Sequence, residues 1–126
     1  MNPRQEYKKL INSFKYAIEG IISSFKTERN MKIHVLAMIV VIALGLFFKL
    51  NKVEWCFIII AIASVISAEL FNTAIETVVD MVSPEKNPKA KLVKDIAAGA
   101  VLVVAIGAAI IGFIIFGPQI INVFNK

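Results

Sequence analysis

The sequence predicts an all-α integral membrane fold: an N-terminal amphipathic helix on the membrane surface, then three transmembrane helices. Three observations carry that reading. The chain contains three long apolar runs, a helical recurrence of apolar residues ahead of the first run, and a composition of 58% hydrophobic against 18% charged residues in 126. The runs are Met31 to Leu50, Val53 to about Leu70, and Ile96 to Phe116, the last with 21 consecutive uncharged residues. Each is near the ~20 residues that cross a hydrocarbon core, the first two reaching it as Lys32, Lys49 and Lys52 extend their amines to the interfaces.

The surface helix is expected over about residues 5–27. Tyr7, Leu10, Ile11, Phe14, Ile18, Ile21, Ile22 and Phe25 recur at helical spacing, with Lys8, Asn12, Lys15, Glu19 and Lys26 opposite. Such a helix buries its apolar face at the headgroup boundary, where it either walls off a cleft open to lipid or serves as a plain anchor. The first span is expected at about 31–50. The second starts at 53 and runs to about 82, where Ser83-Pro84-Glu85-Lys86-Asn87-Pro88-Lys89 combines two prolines with charges and turn formers. The third is expected at about 91–117, and residues 1–126 form a single membrane domain. On this helix Ala105/Ala109 and Ala108/Gly112 are small residues four apart, which favours close helix approach. Three helices enclose little core by themselves, so an oligomer is expected.

Charge placement sets the topology. Seven basic residues from Arg4 to Lys32 precede the first span, and Lys86, Lys89, Lys91 and Lys94 lie between the second and third. Only Lys49 and Lys52 occupy the first turn, so the N-terminus and second loop are predicted to be cytoplasmic. The net charge of +5 flanks membrane spans, which suits anionic headgroups and gives no reason to invoke nucleic acid. The charged first thirty residues lack the apolar core of a secretory signal, and the N-terminus is expected to be mature sequence. Cys56 is the sole cysteine, which excludes an internal disulfide and is expected to be a buried, inert thiol. Trp55 is expected to anchor the outer interface.

Glu69, Asn72, Glu76 and Asp80 fall within an arc of about 80° on the second span, one polar stripe of three carboxylates and an amide. Asp80 stands in water, and Glu69 lies about 16 Å farther in, near the hydrocarbon boundary. Carboxylates at that depth are expensive and point to a divalent metal, a proton relay, or a phosphate-bearing ligand held through metal. Phosphoryl transfer from a nucleotide needs such a set: Glu76 with Glu28 to hold Mg²⁺, Lys94 for phosphate oxygens, and Glu69 to accept a proton. Neither G-x-x-x-x-G-K-[ST] nor G-x-G-x-x-G occurs, so a nucleotide site must be built from helix-borne side chains. Two other readings of Glu69 stand beside this one: an ion pair with Lys94 that glues helices together, and a proton-coupled carboxylate of a small transporter. His34 reads as a packed or interfacial histidine rather than a metal ligand, because the chain holds no second histidine.

The run Ala68-Glu69-Leu70-Phe71-Asn72-Thr73-Ala74-Ile75-Glu76-Thr77-Val78-Val79-Asp80, followed by Lys94-Asp95-Ile96-Ala97-Ala98-Gly99-Ala100-Val101-Leu102, closely resembles the prokaryotic diacylglycerol kinase family, which includes the undecaprenol kinases. The resemblance covers nearly the whole chain, including Gly20, Glu28-Arg29-Asn30 and His34. It implies a homotrimer in the bacterial inner membrane that transfers the γ-phosphate of MgATP to the hydroxyl of a lipid alcohol at the cytoplasmic face, with active sites shared between subunits. By the resemblance Glu69 is the general base and Glu28 and Glu76 are the metal ligands. Asn72, Asp80, Lys94 and Asp95 then form a polar shell around the nucleotide, Glu85 and Asn87 border it from the loop, and Gly20 and Asn30 lie on the lipid side with Glu69. The Lys94 to Leu102 segment and Glu28-Arg29-Asn30 look more like the undecaprenol-kinase branch, and the surface helix lacks the tryptophan expected of the diacylglycerol-specific branch. Undecaprenol is therefore the expected acceptor, with diacylglycerol, giving phosphatidic acid, as the alternative.

Overall fold

Capping residues set where each helix begins. In the computed structural model, which describes residues 1–126, four helices follow one another: α1 (Pro3–Thr27), α2 (Arg29–Phe47), α3 (Lys52–Val82) and α4 (Pro88–Phe124). Asn2 accepts a hydrogen bond from the Arg4 amide while Gln5 accepts one from the Asn2 amide, a capping box closed by Pro3 in the first turn. Asn51 and Glu54 form a second box at the start of α3, both bonds at 2.9 Å. Asn87 receives the Lys89 amide and opens α4. Between α1 and α2 only Glu28 is extended, so the chain turns a corner there and Glu28 stands at its apex.

Helices α2, α3 and α4 are each long and apolar enough to cross a membrane. Expected boundaries hold for α3 and shift elsewhere. α1 begins at Pro3, and α2 runs from Arg29 and stops at Phe47, where Lys49 takes a left-handed conformation (φ 53°) that lets the Leu50 amide reach back to the Gly45 carbonyl. The largest shift is in α4, expected to end near residue 117: it continues through Pro118 to Phe124. Proline removes one donor, but in an apolar setting a continuing helix is the conformation that keeps the remaining backbone groups paired.

α3 and α4 run antiparallel in one register. Ile58 and Phe116 share a core cluster with Leu50 at one end, and Asp80 meets Lys94 at the other, the two levels being about 33 Å apart along both helices. α2 packs along α3, and at the α2–α3 turn a Cβ on Gly45 would lie 2.7 Å from the Trp55 ring. Trp55 is thus half-buried over Gly45, held by packing at that turn. The expectation of a buried Cys56 is corrected as well: its side chain is exposed, on a helix face that no other helix of the chain covers. α1 joins the rest near its C-terminal end, where the buried Ser24 hydroxyl lies 3.4 Å from that of Thr73. Only ten of 126 residues are buried, so most apolar surface is left for lipid or for another copy of the chain.

Candidate active site

The helical period of α3 turns Glu69, Asn72 and Glu76 to one face, and the first two are buried, to 1% and 6% exposure. Across from Glu69 stands His34 of α2, with Nε2 3.6 Å from Oε2 of the carboxylate. Oε2 of Glu69 and Oδ1 of Asn72 have no hydrogen-bond partner, although both are shielded from solvent. A buried oxygen left unpaired costs about 1 to 3 kcal/mol, so Glu69 and Asn72, on adjacent turns, are polar groups that hydrogen bonds within the chain leave unsatisfied.

Glu28 and Glu76 both lie within coulombic range of Glu69. Neither is committed elsewhere. Glu28 caps nothing with its side chain despite sitting at the N-cap of α2, and Glu76 enters no ion pair. Three carboxylates from α3 and the α1–α2 corner therefore converge, yet no three histidine, cysteine, aspartate or glutamate side chains are close enough to cage a metal among themselves. That donor set fits Mg²⁺, a hard cation held by one or two carboxylates together with waters and substrate phosphates.

Two clefts flank the stripe. One, of about 650 Å³ between α1 and α3, is lined by Gly20, Ser24, Thr27, Glu28, Thr73 and Thr77. The other, of about 660 Å³ at the α3–α4 loop, is lined by Asp80, Ser83, Glu85, Asn87, Lys91 and Lys94. The Lys94 amine is hydrogen-bonded to the Asp80 carboxylate, which rules out the Lys94–Glu69 glue considered from sequence. The side-chain oxygen of Asn87 is taken by its capping bond.

Of the residues singled out from sequence, the fold sets Glu69, Asn72 and Glu76 along one face of α3 with Glu28 within coulombic range of Glu69, places Asp80, Glu85, Asn87 and Lys94 at the loop, and puts Gly20 in the cleft between α1 and α3. It does not bring in Asp95 or Asn30: Asp95 is exposed and paired with Lys91 at 2.5 Å, and Asn30 is exposed and lines neither cleft. The sequence reading missed two features, the hydroxyls of Ser24, Thr73 and Thr77 and the contact of His34 with Glu69. A signal existed for the second, since His34 is an ionisable residue inside the first apolar run.

A buried carboxylate on a helix long and apolar enough to cross a membrane, with two more carboxylates within coulombic range and a lysine at the α3–α4 loop end, is a constellation suited to phosphoryl transfer onto a lipid hydroxyl. Comparison with known proteins agrees. The family model described as prokaryotic diacylglycerol kinase matches residues 15–116. The undecaprenol kinase of Bacillus subtilis (strain 168) is 41% identical over 117 residues, 93% of this chain and 95% of the relative. A diacylglycerol kinase of Synechocystis is 36% identical over 122 residues, covering 96% of this chain and 70% of the relative. One from Haemophilus influenzae is 33% identical over 94 residues, 75% and 80% of the two chains. The chain belongs to the prokaryotic diacylglycerol kinase family and is a membrane lipid kinase.

Proposed function

We propose that this lipid kinase phosphorylates undecaprenol with MgATP at the cytoplasmic face of the bacterial inner membrane, acting as a homotrimer. The observation that carries the reading is the buried Glu69 carboxylate, which accepts no hydrogen bond within the chain and sits on a helix long and apolar enough to cross a membrane. Glu69 takes the hydroxyl proton as the lipid oxygen bonds to the γ-phosphorus and the bond to the leaving diphosphate breaks. Asn72 orients the reacting groups beside it. Glu28 and Glu76 would hold Mg²⁺, which would neutralise phosphate charge. Lys94 exchanges Asp80 for phosphate oxygens, and Glu85 and Asn87 border the nucleotide from the loop. Gly20 leaves the α1 wall of the cleft open to the lipid headgroup.

The trimer is supported by the small buried core and by Asn30, which is exposed and lines neither of this chain's clefts. α1 lies on the cytoplasmic surface with Tyr7, Leu10, Phe14 and Ile18 in the headgroup boundary, its basic residues and those of the second loop facing the cytoplasm. Residues 1–126 act as one membrane domain. For the acceptor, the support is the Lys94 to Leu102 segment and an α1 without tryptophan. In mixed micelles with MgATP, undecaprenol is expected to be phosphorylated with higher kcat/KM than diacylglycerol at matched surface concentration. Tails bind a bilayer-facing cleft by nonspecific apolar contact, so the preference amounts to only about 1 to 3 kcal/mol. A ratio favouring diacylglycerol overturns the acceptor and leaves the kinase standing.

A further inference from the structure

We propose that His34 is the positioning residue of Glu69, its Nε2–H holding Oε2 so that Oε1 is the oxygen presented to the lipid hydroxyl. This rests on Glu69 being the general base. Three observations support it. Oε2 is the buried, unpaired oxygen of Glu69, and His34 is the one cation-forming side chain within ion-pair reach of it. The separation of 3.6 Å lies just beyond a hydrogen bond, and catalytic hydrogen bonds are often long before the substrate arrives. No rival donor is at hand on that side. His34 lines an apolar chamber of about 260 Å³ between α2, α3 and α4, whose other walls include Met38, Ile62, Val65, Ala105 and Ala108, and it is the only polar residue there. Lys94 is engaged with Asp80.

The physical need is plain. Glutamate has three side-chain torsions, and in apolar surroundings nothing else selects the rotamer that aims one oxygen at the substrate. An N–H on one oxygen fixes the carboxylate plane and leaves the other free. The proton moves from the lipid hydroxyl to Oε1, and His34 keeps its own proton throughout, so it contributes orientation and no proton transfer.

The test measures kcat and both KM values in mixed micelles for His34→Leu, His34→Phe and His34→Gln, alone and combined with Glu69→Gln, with oligomeric state followed by size exclusion. Removing the donor (Leu or Phe) is expected to lower kcat about 10- to 100-fold, the scale of a misplaced reacting group, with KM for MgATP and lipid within about twofold. His34→Gln, whose amide keeps an N–H at similar reach, is expected to recover most of kcat. In a Glu69→Gln background the Leu change is expected to add no further loss, because the two act through one oxygen. The inference is overturned by unchanged kcat in the Leu and Phe variants, by a loss confined to KM, by a Gln variant as defective as Leu, or by additive losses. If the Leu and Phe variants do not assemble, the Gln variant decides: retained kcat supports the role, lost kcat removes it. Should Glu69→Gln itself turn over normally, the base assignment fails; should it be dead while the His34 variants work, only the role of His34 fails.

Discussion

The two ends of the α3–α4 pair are built on opposite terms. At the α2–α3 turn, Ile58, Leu50 and Phe116 close a core, Trp55 covers Gly45, and the Asn51–Glu54 box satisfies the first amides of α3. At the other end, one face of α3 carries Glu69 and Asn72 into the interior with oxygens unpaired, and Glu28 and Glu76 stand near without partners. The first end satisfies its polar groups internally. The second leaves its polar groups for ligands, and accepts a stability loss there that the packed end offsets. Function in this small chain is therefore located where local rules of satisfaction are broken.

Breaking the comparison at its polar end should give the largest effects. Glu69→Gln keeps shape and removes the basic oxygen, so kcat is expected to fall by about 100-fold or more while the oligomer still forms; lipid phosphorylation by purified variant in micelles checks this. Near-normal turnover removes Glu69 as the base. Next come Glu28→Gln and Glu76→Gln, each taking one anionic oxygen from the metal: about 10-fold losses at ordinary Mg²⁺ are expected, partly rescued as Mg²⁺ is raised. An unaltered Mg²⁺ dependence in both variants sinks the ligand assignment.

At the packed end the effects should be on stability. Gly45→Ala drives a methyl to within 2.7 Å of the Trp55 ring, an overpacking worth about 1 to 3 kcal/mol, read as a lower unfolding midpoint in detergent with kcat unchanged at permissive temperature. Asn51→Ala opens the capping box and should cost about 1 kcal/mol by the same measurement, the smallest of the set. A drop in kcat without a drop in stability for either variant would erase the division between the ends.

Much of this was legible from local pattern. Hydropathy found the three spans, the 3.6-residue period found the stripe, and two prolines with Asn87 marked the break between α3 and α4. What failed depended on contacts between helices. Helices that are apolar all round carry no signal for which face meets a neighbour, so Cys56 was expected inside and is exposed. Inter-helix register, which no local spacing encodes, gives Lys94 to Asp80 and His34 to Glu69. α4 runs past the expected end near residue 117 because an apolar environment favours a helix that continues through Pro118. Family membership then removed the transporter reading, which residue chemistry alone had left open.

The most direct test measures turnover and unfolding midpoint together for Glu69→Gln and Gly45→Ala in the same micelles with MgATP and undecaprenol. Glu69→Gln is expected to lose turnover with its midpoint unchanged or raised, since a buried carboxylate with an unpaired oxygen destabilises the fold. Gly45→Ala is expected to lose midpoint and keep turnover. If turnover and midpoint fall together in both variants, the chemistry and the packing are not separable along α3, and the assignment of one end to each is wrong.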